Sequence, residues 1–262
     1  MKITLITSNK NRHNYLINLL GKYCDELFVI QECATIFPGI VPHRYPASDT
    51  MKKYFLRVND AQIKFFGNPY VNLHSSNIKI LPILMGDLKH CSLSFLSDFL
   101  KSDLYIIFGC SYIKGKLIDY LVEKKAINIH MGVSPYYRGA DCNFWALNDN
   151  NPHLVGATIH LISKGLDDGP ILFHALSNLK NDPFEYTMST VKAAFQSIAI
   201  KIKDKSILKT KPLDQNKDSE IRYSKLADFN EKIVKDFLLK DLNLNSKKID
   251  ISLLKDPYFL TE

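Results

Sequence analysis

Short apolar runs alternate with amphipathic segments along most of the chain. Runs of aliphatic residues bounded by turn formers predict strands at 2–7, 26–30, 78–84, 104–108, 126–130, 156–162 and 170–174. Apolar residues at helical spacing predict helices at 12–22, 50–67, 91–100, 114–122, 140–148, 183–203 and 231–239. This alternation predicts an α/β fold with a mostly parallel sheet and helices on both faces.

The pattern changes after residue 205, where short β-like and polar pieces replace the regular alternation. We therefore predict a main domain over 1–205 and a small C-terminal extension over 206–262. The extension has too many apolar residues for a free tail and too few residues for a core of its own, which predicts a dimerisation element. These apolar residues are Leu213, Ile221, Tyr223, Phe229, Ile233, Phe237, Leu238 and Leu253.

Composition narrows the class of protein. The 262 residues are 46% hydrophobic, which is enough for a proper core. No apolar run approaches the roughly 20 residues that span a bilayer, and the first residues enter a strand pattern, so we expect a soluble, cytoplasmic protein without a membrane partner. The net charge of +7 is compatible with an anionic substrate, with RNA or with a lysine-rich proteome, but the lysines form no long run.

Candidate chemistry lies where the strand at 126–130 ends in a loop rich in glycine, proline and polar residues. Asn128 and His130 are two positions apart, so they project from the same face of the strand. Asp167 lies thirty-seven positions after His130, in the turn that follows the strand at 156–162. An amide that donates to an oxyanion, an imidazole that exchanges protons and a carboxylate that orients the imidazole suit acyl transfer.

The competing interpretation is structural. Asn128 and His130 are then satisfied polar groups at a strand end, and Asp167 is an ordinary turn residue. His160 has no partner at ligand spacing and is predicted to be a core or edge histidine. The five cysteines are scattered without a Cys-x-x-Cys pair, and no metal site is expected.

Two sequence blocks resemble the formyltransferases that use 10-formyltetrahydrofolate. The family patterns are Asn-x-His-Pro-Ser-Leu-Leu-Pro-x-Tyr-Arg-Gly and Asp-x-Gly-x-Ile. They are met here by Asn128, His130, Pro135, Tyr137, Arg138 and Gly139, and by Asp167, Gly169 and Ile171. The chain departs from the first pattern at Met131, Gly132 and Ser134. The resemblance implies a Rossmann-like sheet and a catalytic triad of Asn128, His130 and Asp167.

The resemblance also implies 10-formyltetrahydrofolate as the co-substrate. The residues it suggests for the folate are Ile106, Phe108, Gly109 and Gly169, and those for the acceptor are Tyr136, Tyr137 and Arg138. For Arg138, a loop-ordering hydrogen bond to backbone is the alternative. We expect Asn128 and a protonated His130 to bind the oxyanion, with the nearby Asp167 charge raising the imidazole pKa.

Three enzyme classes compete for the acceptor, with a formyltetrahydrofolate hydrolase as a fourth possibility. A methionyl-tRNA enzyme is expected to carry about a hundred further residues, whereas 57 follow Lys205, so a nucleic acid partner is disfavoured. A glycinamide ribonucleotide enzyme needs a glycine-rich loop after the first strand, which residues 7–11 lack. A nucleotide-linked amino sugar is the first choice, with a homodimer as the expected assembly.

Overall fold

The computed structural model describes residues 1–34, 41–42, 45–71, 75–245 and 250–260, and its centre is a sheet of eight strands in the order β10-β8-β7-β5-β4-β1-β2-β3. The strands of this sheet are β1 (Lys2–Ser8), β2 (Glu26–Cys33), β3 (Ile78–Leu84), β4 (Leu104–Phe108), β5 (Ile127–His130), β7 (Ala157–Leu161), β8 (Ile171–Ser177) and β10 (Tyr258–Leu260). Two short strands, β6 (Tyr137–Gly139) and β9 (Arg222–Ser224), pair separately. The predicted α/β class with a mostly parallel sheet is confirmed.

Strands β1 to β5 pair in parallel with one another, while β7 runs antiparallel to both β5 and β8. Alternate residues of β1 enter different parts of the core: Ile3 and Leu5 join one hydrophobic cluster, and Ile6 joins the other. Such a strand is buried on both faces, which explains why the central strands read as continuous apolar runs.

Helices cover the sheet. They are α1 (Asn11–Gly21), α2 (Asp49–Phe66), α3 (Gly115–Glu123), α4 (Cys142–Asn148), α5 (Pro183–Lys203) and α6 (Glu231–Leu239). Helix α3 contributes Leu117 and Leu121 to the cluster that contains Ile6, whereas α1 and α5 contribute to the cluster that contains Leu5. The longest helix, α5, begins at Pro183 after Asp182, whose side chain accepts two backbone hydrogen bonds as the N-cap.

The predicted helix at 91–100 is wrong. This stretch contains only a single 3-10 turn, Ser97–Phe99, although Leu96 and Leu100 are buried as their spacing suggested. The Ser92 hydroxyl accepts a hydrogen bond from Phe95 N, and serine side chains that bind local backbone in this way compete with helix formation.

Two strands of the C-terminal residues pair with earlier strands of the chain. Strand β9 pairs in parallel with β6 directly after the predicted catalytic loop, and β10 adds a parallel strand beside β8. Helix α6 packs on α2, with Phe237 buried among aromatic residues that include Tyr54 and Phe144. The domain boundary at 205 stays a prediction. Across the described ranges, no helix combines the length and apolarity that crossing a membrane requires.

Candidate active site

The ends of β5 and β7 bring the three predicted catalytic residues together. Asn128 and His130 lie on β5, which pairs antiparallel with β7, and the turn after β7 carries Asp167 back toward the end of β5. The Asn128 Nδ2 atom donates to Asp167 Oδ1 at 3.1 Å. His130 Nδ1 lies 3.4 Å from Asp167 Oδ2. A single carboxylate therefore joins the amide and the imidazole.

Asp167 is almost fully buried, with 10% of its side chain exposed. Burial alone would raise the pKa of this carboxyl, but the neighbouring histidines and a hydrogen bond from Gly139 N outweigh it and lower the pKa to about 2. The residue adopts a left-handed backbone conformation with φ of 51°, which turns its side chain into the site. Asp167 is therefore ionised at neutral pH.

The imidazole of His130 faces an oxygen acceptor at each nitrogen. Nδ1 is next to Asp167, and Nε2 lies 3.2 Å from the backbone oxygen of Tyr137. Burial lowers the pKa of His130, and the Asp167 charge, which raises it, offsets only part of this effect. The Asp167 charge thus acts in the expected direction, but desolvation dominates, and the net pKa of His130 is lowered, which disagrees with the expectation of a protonated imidazole. When the imidazole takes up a proton, each of its nitrogens has an oxygen acceptor to donate to.

His160 belongs to the same cluster, although its sequence context predicted only a core or edge histidine. Its Nδ1 donates to Leu161 O at 2.8 Å, so Nε2 is the acceptor for the Asn128 amide at 3.2 Å. The same nitrogen lies 3.7 Å from Asp167 Oδ1. The missed signal was register: His160 lies directly opposite Asn128 in the β5–β7 pair.

Two glycines permit this close packing. A Cβ at Gly169 would lie 1.8 Å from Leu161 O, so the turn that carries Asp167 cannot hold a side chain there. A Cβ at Gly132 would lie 2.7 Å from His130 Nε2 and 2.6 Å from the Cβ of Cys142. The glycine that replaces the family's usual serine at 132 thus leaves room for the imidazole. Contact of Gly169 with the folate stays a prediction.

The other residues suggested for the folate lie at the end of β4. Ile106 and Phe108 are 0% and 3% exposed, and the ring of Phe108 packs against His13 at 4.8 Å between centroids. Gly109 follows with φ of 61°, and a Cβ there would lie 2.7 Å from the His13 ring. These side chains form a buried wall, and their contact with the folate stays a prediction.

Residues 94–202 match the family model described as formyl transferase. Over this segment the chain is similar to the formyl transferase family. The matched segment includes all three residues of the Asn128, His130 and Asp167 cluster. Over 126 residues the chain is 30% identical to the methionyl-tRNA formyltransferase of Thermodesulfovibrio yellowstonii, a match that covers 45% of this chain and 40% of that protein. The chain thus spans well under half the length of the curated relatives it matches.

Solved formyltransferase structures share the fold over most of the chain. A 4-N formyltransferase from Francisella tularensis aligns with a TM-score of 0.55 at 19% identity, covering 87% of this chain and 77% of that one. The N-formyltransferase of Helicobacter canadensis, solved with folinic acid and dTDP-3-aminofucose, aligns with a TM-score of 0.53 at 18% identity, covering 88% and 73%. At these identities the likeness concerns the fold.

The three residues suggested for the acceptor make mainly internal contacts. Tyr137 is fully buried, and its hydroxyl accepts a hydrogen bond from Asn151 at 2.8 Å. Arg138 donates to Glu220 at 2.8 Å and to the backbone oxygen of Leu166 at 2.9 Å, which is the loop-ordering alternative named above. Tyr136 is half-buried. Substrate binding by Tyr136, Tyr137 and Arg138 stays a prediction.

Proposed function

We propose that the protein is an N-formyltransferase that moves a formyl group from 10-formyltetrahydrofolate to the amine of a nucleotide-linked amino sugar. The observation that carries the proposal is the cluster in which one buried carboxylate, Asp167, contacts both Asn128 and His130. Formyl transfer to an amine requires a proton acceptor, stabilisation of an oxyanion and precise placement of two substrates, and this cluster supplies the first two.

In the proposed reaction the neutral amine attacks the formyl carbon and forms a tetrahedral adduct. His130 accepts the proton that the attacking nitrogen loses, and the resulting imidazolium donates to Asp167 and to Tyr137 O. Collapse of the adduct breaks the bond to the folate nitrogen, which takes up the proton that His130 accepted as it leaves. The products are a formamide and tetrahydrofolate, and no oxidant or covalent enzyme intermediate is needed.

The amide of Asn128 is assigned to the oxyanion, but both of its hydrogens are engaged in the structure. One is donated to Asp167 at 3.1 Å and the other faces His160 at 3.2 Å. Donation to the substrate oxygen therefore requires Asn128 to give up one partner. His160 is the better candidate to be released, because its bond is the one without a full charge on the acceptor.

Two observations support an amino sugar as the acceptor. The fold is shared with the Helicobacter canadensis N-formyltransferase that was solved with dTDP-3-aminofucose. The chain carries a net charge of +7, which suits a diphosphate. A methionyl-tRNA formyltransferase activity is the second candidate, favoured by the match to the Thermodesulfovibrio yellowstonii enzyme.

We also propose a cytoplasmic homodimer that uses part of the C-terminal residues. Phe229 and Phe237 are 4% exposed and belong to the core of the protomer, so they are not available to a partner. Leu213, Ile221 and Leu253 are 52%, 52% and 44% exposed and remain candidates for the interface. Light scattering coupled to size-exclusion chromatography tests the assembly, and a monomer at micromolar concentration would exclude it.

The activity is tested by incubating the protein with 10-formyltetrahydrofolate and a panel of amines. The panel holds nucleotide-linked amino sugars, methionyl-tRNA and glycinamide ribonucleotide, and mass spectrometry detects a formyl group in place of hydrogen. His130→Gln serves as the inactive control. If only methionyl-tRNA is formylated, the amino-sugar activity is excluded in favour of the methionyl-tRNA formyltransferase activity. Release of formate without an acceptor would indicate a hydrolase.

A further inference from the structure

We propose that Gln215 is a positioning residue that holds the Asp167 carboxylate in place for His130. The inference rests on the proposed function for its catalytic consequence, but not for its structural content. Gln215 lies outside the segment matched by the family model, which ends at residue 202. It is 48 positions from Asp167 in sequence, yet its side chain spans the turn that carries this residue.

The Gln215 side chain bridges two backbone carbonyls, and we call this arrangement the clamp. The Gln215 amide nitrogen Nε2 donates to Asp167 O at 2.9 Å and to Gly169 O at 2.7 Å. Both amide hydrogens are thus used on the two sides of one turn. The left-handed backbone conformation of Asp167 is unfavourable for a residue with a side chain, and the surrounding contacts must hold it. Gln215 fixes the carbonyl of that same residue.

The clamp is itself anchored. Two positions before Gln215, Leu213 exchanges two backbone hydrogen bonds with Ile171, at 2.7 and 2.8 Å. Ile171 begins β8, immediately after the turn. Gln215 therefore projects from a backbone that is fixed to the same strand as the turn, and its amide can hold the carbonyls of Asp167 and Gly169 at a constant distance.

The oxygen of the Gln215 amide allows an experiment that distinguishes a positioning role from a contribution to folding stability. Its Oε1 atom is buried, and no donor in the described part of the chain reaches it. Gln215→Met removes two hydrogen bonds and also removes this unpaired oxygen, so the losses in folding stability partly cancel. A loss of turnover without a matching loss of stability is therefore expected, which a purely structural residue would not show.

The first measurement is the titration of His130 by NMR of isotope-labelled histidine, with the resonance assigned from its absence in His130→Gln. In Gln215→Met the Asp167 carboxylate moves away from the imidazole, and the pKa of His130 falls because the carboxylate is the group that raises it. This readout requires no substrate. An unchanged His130 titration in a folded Gln215→Met protein would overturn the proposal.

The second measurement is steady-state formyl transfer. Gln215→Met should lower kcat about tenfold to a hundredfold while KM changes less than about threefold, because a misplaced catalytic group affects the reaction more than binding. Gln215→Glu places an oxygen against the two carbonyl oxygens at neutral pH, and protonation at lower pH restores one donor. The ratio of Gln215→Glu to Gln215→Met activity should therefore rise as the pH falls, and a constant ratio would contradict the clamp.

Two control variants define the effect. Gln196→Met makes the same substitution on α5, where the side chain bonds Tyr15, and should leave both readouts unchanged. Lys217→Gln removes an exposed ion pair from the same segment to Asp168, and should likewise leave the His130 titration unchanged. A wild-type protein that formylates nothing would overturn the proposed function, while the NMR titration would still decide the role of Gln215.

Discussion

Replacing Gly132 by serine, the residue that the family pattern has at this position, should damage the site. The Cβ of the new side chain would lie 2.7 Å from His130 Nε2, whereas ordinary contacts begin at 3.4 Å. The imidazole or the loop must therefore move by about 0.7 Å. Cys142 and the backbone of Tyr137 close the other sides, with Cβ distances of 2.6 and 3.0 Å, so little free space remains.

The expected cost has two parts. A displacement approaching 1 Å of a catalytic group lowers kcat/KM by about tenfold to a hundredfold. Overpacking of the buried loop lowers the free energy of unfolding by about 1–3 kcal/mol. Gly132→Ala should show most of both effects, because the clash begins at the Cβ and not at the hydroxyl.

The assay compares kcat/KM for formyl transfer with the free energy of unfolding in urea. Gly115→Ala is the matched control, since its φ of 63° strains any side chain but nothing lies within 4 Å of the Cβ. It should lose about 1–2 kcal/mol of stability without a change in turnover. Wild-type turnover in a folded Gly132→Ala protein would refute the steric reasoning.

Three further predictions concern the site and its support. His130→Gln and Asp167→Asn should each lower kcat at least about a hundredfold in a protein with unchanged circular dichroism, and substantial turnover in either would exclude the proposed roles. Glu220→Gln leaves the guanidinium of Arg138, whose side chain is 11% exposed, without its carboxylate, and should lower the free energy of urea unfolding by about 1–3 kcal/mol. Burial lowers the pKa of His174, so the folded state favours the neutral imidazole. The contribution of this residue to the free energy of unfolding is therefore complete above about pH 6.5 and is lost as the pH falls below that value. Urea unfolding between pH 7.5 and 5.5 should show a smaller loss in His174→Gln than in the wild type, and equal losses would contradict this assignment.

Much of the sheet was predictable because central parallel strands need long apolar runs. The run Leu104–Phe108 was placed at the correct residues for this reason, and α5 was placed correctly because Asp182 and Pro183 mark its start. The helix predicted at 91–100 was wrong because the spacing of apolar residues indicates which side chains are buried, and not which conformation the backbone adopts. The buried Leu96 fits a helix or a series of turns equally well.

The site was less predictable than the sheet, since much of it depends on contacts between distant segments. Asn128, His130 and Asp167 were brought together as the family resemblance implied. The position of His160 opposite Asn128 depends on strand register, which the periodicity of a single sequence does not give. The desolvation that lowers the pKa of His130 depends on how many atoms surround the ring, and no local pattern encodes that number.

The pairing of β6 with β9 has a consequence for the order in which the protein acquires its activity during synthesis. Domains emerge from the ribosome from the N-terminus onward, and β5, which holds Asn128 and His130, can begin to pair early. Gly139, which ends β6 after the loop that follows β5, is packed against Ser224, and a Cβ there would lie 2.1 Å from Ser224 O. The loop therefore reaches its final conformation only after some 85 further residues have been translated. A nascent chain that stalls between Asp167 and Ser224 holds Asn128, His130 and Asp167 but not the strand that fixes the loop after β5.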